Sequence, residues 1–592
     1  MQPRFVLSSP MQQLRPISST SPAPETREVH DGTGGRRGAV AARMVVIALV
    51  YLGLAVLLTL NTWLSPQHTL VGTGSDPVSG SWAIGWVPYA IAHGVNPLFS
   101  DHLNSPAGIN LLWNNSVGVP LLLLWPITTA WGPFLTFNIA MTCGVAAAAF
   151  TACLAARRYV RGFIVPAFAG LLYGFSPFMM GQLLGHDDII VSAITPPLAL
   201  LLVDELLVRQ RLRTLTFSLL TAGLALLQYF LWAETLITEV MCALVLIAIL
   251  AVAYRHEIRR RIRYTVHTAF YALVASLLAL SLPLAFQLFG PSRVQYITQP
   301  RGVFVSDLVN FVVPTPVQLV APTAAAHVTS RFTGNVEEWG AYVGIPLLLL
   351  MTFGLVWLRR VVLLRVVAVF AVVIAVLSLG PHLHVAGIDT GMALPWWTLN
   401  DITVLDDILP ARFMLYVFLA LGIGSAFILQ SIARRRRWTA VATAAVVVVS
   451  LLPAAPILSE AVNAPPGLSN ASVRHLVDGK VVLMLPWSNG AYPSAMAWQA
   501  ESGYSFRMTD GYFVGAASPG SDDLHANINR LLSDTNVSSA DRVRVMQLLR
   551  ALRIDAVVVG PGPDAASNRH LMQQLLGAPA YHDADIDVWH VA

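Results

Sequence analysis

Charged residues are scarce in this 592-residue sequence, and that shortage excludes a purely soluble protein. Only 12% of the residues are charged, whereas 55% are hydrophobic. A soluble globular chain carries about 25% charged residues, so this chain has too little polar surface to cover several soluble cores. The same composition excludes a disordered chain and a collagen-like fibre. Most of the sequence is therefore predicted to lie in lipid.

Lysine and cysteine are also nearly absent. Lys480 is the single lysine among 37 basic residues, and the arginines cluster between apolar runs. Nucleic-acid-binding proteins concentrate basic residues on one soluble face, so nucleic acid is not predicted as a partner. The cysteines Cys143, Cys153 and Cys242 all lie in apolar runs, which leaves neither a disulfide framework nor a paired-cysteine metal motif.

Apolar runs long enough to cross a bilayer are abundant. A helix needs about 20 residues to span the hydrocarbon core, and eleven runs qualify. We therefore predict an all-α polytopic membrane domain over residues 44–457, preceded by a disordered cytoplasmic tail at 1–43. The predicted spans are 44–62, 133–156, 162–181, 189–208, 214–231, 235–254, 268–289, 340–358, 361–379, 410–431 and 438–457.

The arginine clusters orient these spans, because basic loops face the cytoplasm. All clusters fall on one side if residues 117–130 do not cross, and we interpret this run as a partly immersed helix interrupted by Pro126. The N-terminus is then cytoplasmic. Near-exclusive use of arginine, together with abundant alanine, favours a GC-rich bacterium and hence its inner membrane. The predicted outer loops are 63–132, 182–188, 290–339 and 380–409.

Residues 458–592 have mixed polarity and ordinary charge, unlike the rest of the chain. Val481–Leu485 and Ile554–Val559 have the pattern of buried strands, whereas Asp522–Ser533 and Ser539–Leu552 have that of amphipathic helices. We predict a small extracytoplasmic α/β domain.

Two groups of acidic residues are candidates for chemistry at the outer face. Asp76 lies about a dozen residues beyond the first span, where an ionisable group suggests function; it could equally be the N-cap of a helix that begins at Pro77. His186, Asp187 and Asp188 fill a short outer loop. Adjacent carboxylates repel each other unless a cation is close, so this group is either a weak metal site or a solvated helix end.

Basic residues are rare on the predicted outer side, so the few that occur there are informative. A guanidinium can bind a lipid phosphate with two parallel hydrogen bonds. It can also contact anionic head groups, extend toward the interface, or pair with a nearby glutamate. The arginines concerned are Arg293, Arg301 and Arg412, and the glutamates are Glu234, Glu337 and Glu338.

Several stretches resemble the GT-C superfamily of polytopic membrane glycosyltransferases. The first are Asp76 itself and the segment 104–115 (NSPAGINLLWNN). Three more resemble a bacterial, largely actinobacterial branch: 338–346 (EWGAYVGIP), 410–413 (PARF) and 496–503 (MAWQAESG).

The resemblance implies an enzyme that transfers sugar from a polyprenyl-phosphate donor to an envelope glycan or glycolipid at the outer face. It assigns Asp76 as general base in an inverting displacement, with Asp187 or Asp188 as a second acidic residue. His186, Arg293, Arg301, Glu338 and Arg412 are the candidate substrate-binding residues. No Asp-x-Asp pair follows the first span, so a divalent metal stays possible without identified ligands. The alternative is a non-catalytic transporter or lipid-handling protein with the same fold.

Overall fold

The computed structural model describes residues 33–294, 296, 298–402, 404–515, 520–533 and 537–591, with the backbone alone for 33–37. Most of the predicted disordered tail, up to residue 32, lies outside the described residues. Residues 33–43 were included in that predicted tail, but they form the beginning of the first helix. The prediction was wrong there because the apolar residues 44–58 extend their helix backward through small and basic residues.

Most of the described chain is helical. Four helices precede residue 132, and the last five belong to the C-terminal region. In chain order the helices are α1 Thr33–Leu58, α2 Leu60–Trp63, α3 Ser75–Ala92, α4 Trp125–Trp131, α5 Pro133–Ala156, α6 Ile164–Gly174, α7 Pro177–Gln182, α8 Asp187–Ser192, α9 Thr195–Asp204, α10 Thr214–Leu231, α11 Ala233–Ala253, α12 Arg255–Phe289, α13 Thr323–Thr329, α14 Ile345–Trp357, α15 Val362–Ser378, α16 Met414–Ala433, α17 Arg437–Leu451, α18 Ala471–Val477, α19 Ser494–Glu501, α20 Ser521–Ser533, α21 Ser539–Ala551 and α22 Ala565–Leu576.

Seven helices of the described residues are long and apolar enough to cross a membrane, by length and composition. They are Gly38–Leu58, Pro133–Ala156, Asp187–Arg209, Thr214–Leu231, Ala233–Ala253, Arg255–Phe289 and Pro410–Ala433. Five further apolar helices are shorter: Pro120–Trp131, Ile164–Gly174, Ile345–Trp357, Val362–Ser378 and Arg437–Leu451. Each of the eleven predicted runs overlaps one of these helices. The remaining helix, Pro120–Trp131, lies in none of the eleven runs.

That additional helix occupies the run for which we predicted no full crossing. A 3-10 turn at Pro120–Leu124 leads into α4, which contains Pro126 in its first turn. Pro126 therefore begins a helix rather than interrupting one. The first turn tolerates proline because its amide would lack an intrahelical partner in any case.

The chain folds as two compact units. Unit 1 comprises residues up to 60, 141–280 and 297–457, and unit 2 comprises residues 61–140, 281–296 and 458–592. The predicted boundary at 457/458 coincides with a boundary between the units, but two earlier segments also belong to unit 2.

Unit 1 is a helical bundle in which α16 lies at the centre. This helix packs on α6, α14, α15 and α17, and nearly all of its side chains are buried. A methyl group at Gly422 would lie 2.9 Å from the carbonyl oxygen of Ala169. Small residues of this kind allow membrane helices to approach closely.

Unit 2 contains the sheet predicted for the C-terminal region, built from strands β7–β11. Three further two-stranded sheets pair β1 with β6, β2 with β3, and, in unit 1, β4 with β5. The strands are β1 Thr69–Val71, β2 Phe99–Ser100, β3 Ile109–Asn110, β4 His382–Val385, β5 Ile388–Ala393, β6 Ser459–Ala461, β7 Val481–Leu485, β8 Arg507–Met508, β9 Ala556–Val559, β10 Tyr581–His582 and β11 Asp587–His590.

The five-stranded sheet has the order β10-β11-β9-β7-β8. Strand β7 runs parallel to β8 and β9, and β10 and β11 complete the sheet in antiparallel pairs. The fully buried β7 and β9 are covered by α20, α21 and α22, whose apolar faces form one core with them. The prediction of a small α/β region is confirmed at this level.

Candidate functional site

The predicted site residues are divided between the two units. Unit 1 contains His186, Asp187, Asp188, Arg301, Glu338 and Arg412, whereas unit 2 contains Asp76 and Arg293.

Arg412 lies in a buried ion-pair cluster. The 3-10 turn Pro410–Phe413 carries it directly before α16. Its Nε donates to Oε1 of Glu338 at 3.0 Å, and its Nη1 donates to Oε2 of Glu234 in the first turn of α11. The exposed fractions are 11% for the Arg412 side chain, 12% for Glu234 and 1% for Glu338. Three segments far apart in sequence thus meet at one guanidinium.

Gln182 and His186 extend this network. Nε2 of Gln182 donates to Oε2 of Glu338 at 3.3 Å and to the carbonyl of Glu337 at 2.9 Å. This fixes the amide so that its Oε1 lies 2.7 Å from Nδ1 of His186, and Nδ1 must therefore carry a hydrogen. We call Arg412, Glu234, Glu338, Gln182 and His186 the Arg412 cluster.

Asp187 and Asp188 form the first turn of α8 and are both buried, with exposed fractions of 2% and 8%. The alternative of a solvated helix end is therefore wrong. A helix N-terminus stabilises negative charge, and the charge of Asp188 also acts on Arg412. Sequence spacing gave no sign of this arginine, which follows more than 200 residues later.

The charge of the cluster decides the role of Arg412. Glu234, Glu338 and Asp188 all act on this one guanidinium, so carboxylates outnumber it. Of the roles that the sequence left open for Arg412, the structure shows the ion pair with glutamate.

Arg301 and Arg293 have different surroundings. Nη1 of Arg301 donates to Oδ1 of Asp401 at 2.9 Å, and both side chains are exposed. An exposed pair of this kind contributes little stability and can exchange for another anion. Arg301 also lines a pocket of about 270 Å³ with Trp396 and Asn400. Arg293 is exposed in unit 2.

Asp76 is the second residue of α3, and the N-cap is Gly74. The prediction that Asp76 caps the helix was wrong by two residues, because Gly74 takes the backbone conformation of the cap with φ 88°. A carboxylate in the first turn still interacts favourably with the helix dipole. The helix start is held by β1 and β6, and the amide of Gly74 donates to Oε2 of Glu460 at 2.7 Å.

The motif at 496–503 forms α19, which packs on α3 within unit 2. Oε1 of the fully buried Gln499 accepts from Nε1 of Trp82 at 2.7 Å. Its Nε2 donates to the carbonyls of His102 and Phe506 at 2.9 and 2.8 Å, and the hydroxyl of Tyr504 donates to the carbonyl of Trp82 at 2.7 Å. The motif therefore positions α3, the helix whose first turn contains Asp76.

Unit 1 also contains an apolar cleft of about 870 Å³ between α9, α11, α15 and α16. Leucine, valine, alanine and phenylalanine side chains form nearly all of its lining, and Glu239 and Asp204 are its carboxyl groups. Tyr416 lines this cleft and also a smaller cavity of about 200 Å³ that contains Arg412 and Glu234. The Arg412 cluster and the apolar cleft thus meet at one tyrosine.

Sequence reasoning missed the cleft and Gln182, which have no local sequence signal. Glu234 was named only as a possible ion-pair partner of the arginines, although an acidic residue at the beginning of an apolar run is rare and indicates function. Within the described ranges no group of three or more His, Cys, Asp or Glu side chains is placed to bind a metal ion. Glu234 and Glu338 both face Arg412, so we assign no step to a metal.

The chain resembles solved structures in its fold but has no match by sequence. No family model matches the sequence, and no curated protein matches it. The oligosaccharyltransferase of Archaeoglobus fulgidus in complex with Zn and sulfate superimposes with a TM-score of 0.53 and 12% identity, over 87% of this chain and 67% of that chain. The oligosaccharyltransferase AglB of the same organism, in complex with an inhibitory peptide and a dolichol-phosphate, gives a TM-score of 0.49 and 12% identity, over 88% and 69%.

Likeness at this level of identity shows a shared fold. It agrees with the fold that the resemblance implies, whereas the bacterial branch stays a prediction. The chain has a fold similar to that of the Archaeoglobus fulgidus oligosaccharyltransferase.

Proposed function

We propose that this protein is a multi-pass membrane glycosyltransferase that uses a polyprenyl-phosphate sugar as donor. The acceptor is an envelope glycan or glycolipid at the outer face of a bacterial inner membrane. The N-terminus is cytoplasmic and the C-terminal region extracytoplasmic, as the arginine clusters indicate.

The observation that carries this proposal is the meeting of polar and apolar environments at Tyr416. A lipid-linked donor needs an apolar path for its chain, because each buried CH2 group is worth about 0.8 kcal/mol. It also needs polar groups beside that path for its sugar. The cleft supplies the first and the Arg412 cluster the second, with Tyr416 lining both cavities.

We assign the reacting groups as follows. Asp76 takes the proton of the acceptor hydroxyl while the hydroxyl oxygen bonds to the anomeric carbon. The bond from that carbon to the phosphate oxygen breaks, and the electron pair leaves with the phosphate, which inverts the anomeric configuration. Arg293 and Arg301 stabilise the charge on the departing phosphate, with Arg301 exchanging its exposed partner Asp401.

The remaining candidates bind the sugar. Asp187, Asp188, Glu338 and His186 offer carboxylates and an imidazole to hydroxyl groups, and the Arg412 ion pairs hold Glu338 in place. The acidic excess suits a neutral polyol better than an anion.

The test is sugar transfer by the full-length protein in lipid nanodiscs, with polyprenyl-phosphate hexoses and pentoses as donors. We expect Asp76→Asn to lower the rate about 10²- to 10⁴-fold, the usual contribution of general base catalysis. Envelope glycolipids compared by mass spectrometry, with and without the protein, then identify the acceptor.

Glu460→Gln is the matched control, because Glu460 also contacts the beginning of α3. We expect it to keep the rate within a few fold. Equal losses in both variants would assign Asp76 a structural role, and an unchanged rate for Asp76→Asn would reject it as the base.

A lipid-handling protein without catalysis is the second candidate, since the apolar cleft alone could bind a lipid chain. Binding of the donor with no transfer to any envelope fraction would favour this candidate.

A further inference from the structure

The two carboxyl groups that line the apolar cleft have different partners. Oδ2 of Asp204 accepts from Nε of Arg209 at 2.8 Å, so this carboxylate has a cation beside it. Glu239, on α11, has none: in the described part of the chain, its ionisable neighbours are Tyr173 on α6, Tyr416 on α16 and Cys242 on its own helix. An unpaired carboxylate in apolar surroundings is costly.

The hydrogen bonds around Thr195 show how this cost is avoided. Nε2 of Gln228 donates to the carbonyl of Trp232 at 2.9 Å, which orients the amide so that its Oε1 faces Thr195. That oxygen lies 2.5 Å from Oγ1 of Thr195. Oε2 of Glu239 lies 2.8 Å and the carbonyl oxygen of Ser192 lies 3.1 Å from the same hydroxyl. A hydroxyl has one hydrogen, so it cannot donate to all three oxygens.

The amide oxygen of Gln228 and the carbonyl oxygen of Ser192 can only accept, and Gln228 lies nearer, so we assign the hydrogen of Thr195 to Gln228. In the contact between Thr195 and Glu239, the carboxyl group of Glu239 must then be the donor. A carboxylate has no hydrogen to donate, whereas a carboxylic acid has one. The hydroxyl groups that could compete are engaged elsewhere, since Tyr173 donates to the carbonyl of Ala193 at 2.7 Å and Tyr416 lies 2.8 Å from Oγ1 of Thr238.

We propose that Glu239 is a neutral carboxylic acid that donates to Thr195, and that the uncharged cleft around it binds an isoprenoid chain. The lining supports this ligand class, because apart from Asp204, which is paired with Arg209, it is almost wholly apolar around one neutral hydrogen-bonding group. The inference deepens the proposed function by describing the cleft assigned to the donor chain, but it holds whether or not sugar is transferred.

The test uses dicyclohexylcarbodiimide, an apolar reagent that reacts with protonated carboxyl groups. The acid proton moves to a carbodiimide nitrogen and the carboxyl oxygen bonds to the central carbon, so nothing leaves. The full-length protein in detergent is treated without any sugar donor, and the labelled residues are mapped by mass spectrometry.

We expect labelling at Glu239, its loss in Glu239→Gln, and a several-fold slower reaction after preincubation with farnesol. Glu205 is the internal control, because it is also buried but accepts from the backbone amides of Arg211 and Leu212 at 2.5 and 2.8 Å as a carboxylate does.

Each other result overturns part of the proposal. Absence of labelling at Glu239 in the unmutated protein contradicts the neutral acid, whatever the stability of the variant. Equal labelling of Glu205 contradicts the claim that Glu239 is neutral whereas Glu205 is ionised. No protection by farnesol, or equal labelling by a water-soluble carbodiimide, contradicts an isoprenoid site. Loss of sugar transfer with normal labelling would instead count against the proposed function alone.

Discussion

Glu234 and Glu239 lie five residues apart on α11, yet their surroundings are opposite. Glu234 accepts hydrogen bonds from Arg412, from Nε1 of Trp232 at 2.9 Å and from the amide of Leu409 at 2.8 Å. Three donors, one of them cationic, stabilise a carboxylate. Among the described residues, the hydrogen-bond partner of the Glu239 side chain is the hydroxyl of Thr195. Within about two turns, one helix passes from an ionic environment into an apolar one, and the partners rather than the residue type decide the charge.

Among the variants proposed, replacement of Arg412 should lower the thermal stability most. Arg412→Gln leaves Glu234 and Glu338 buried without a cation, and removal of one partner from a buried ion pair costs about 3–5 kcal/mol. We expect a large fall in the thermal unfolding temperature of the detergent-solubilised protein.

Two further variants control this result. Arg301→Gln removes an exposed pair and should cost at most about 1 kcal/mol. Adding Glu234→Gln and Glu338→Gln to Arg412→Gln should restore part of the stability, because neutral amides need no cation. If the single variant Arg412→Gln were as stable as the unmutated protein, the assigned ion-pair network would be contradicted.

Replacing Gln499 extends the comparison to buried groups that are polar but uncharged. Gln499→Leu leaves Nε1 of Trp82 and the carbonyls of His102 and Phe506 without this partner. The carbonyl of His102 keeps the amide of Met508 as a donor. Each of the other two groups costs about 1–3 kcal/mol when it is left unsatisfied, so we expect a loss of thermal stability no larger than for Arg412→Gln. Gln574→Leu, on the exposed side of α22, should change the unfolding temperature little. Similar losses of stability in Gln499→Leu and Gln574→Leu would contradict the claim that the hydrogen bonds of Gln499 hold α3 in place.

His525 carries a charge only when it is protonated, and we expect its contribution to stability to be the smallest of those compared. Its Nε2 lies 2.6 Å from Oδ1 of Asp510, which is buried. Burial lowers the pKa of His525, but the hydrogen bond and the charge of Asp510 outweigh this, so the pKa is raised above about 6.5.

The raised pKa fixes the sign of the pH dependence. Protonated His525 contributes its full stabilisation below the unfolded-state pKa, and the contribution is lost as the pH rises through the folded-state pKa. We expect the free energy of unfolding, measured by denaturant titration at a series of pH values, to fall over that range. His525→Gln should flatten the dependence. An unchanged slope in the variant would show that this pair does not couple to folding.

The sequence predicts local features of this molecule well. Apolar runs of about 20 residues form helices, because a helix satisfies its backbone hydrogen bonds within one segment in lipid. In the C-terminal region the strand at Val481–Leu485 was predicted with its observed bounds, and the helix predicted at Asp522–Ser533 begins one residue earlier. The apolar alternation that defines these elements is a property of neighbouring residues.

Long-range features of the candidate site could not be predicted in this way. Glu234, Glu338 and Arg412 are separated by 74 to 178 residues and meet only after folding. The helix start at Asp76 was misplaced because Asp-Pro favours a cap, whereas Gly74 adopts the required conformation with less strain. Motif 496–503 carried a resemblance but no indication that Gln499 contacts Trp82.

The central claim is that the apolar cleft of unit 1 holds the chain of a lipid-linked sugar. A polyprenyl-phosphate sugar with a photoreactive group on its chain, irradiated with the full-length protein in nanodiscs, tests it directly. We predict cross-links to α9, α11 and α16 that unlabelled donor competes away and that cleft-filling Ala243→Phe reduces. Cross-links confined to α12, whose apolar side chains are largely exposed, and insensitive to competitor and to Ala243→Phe would contradict the claim.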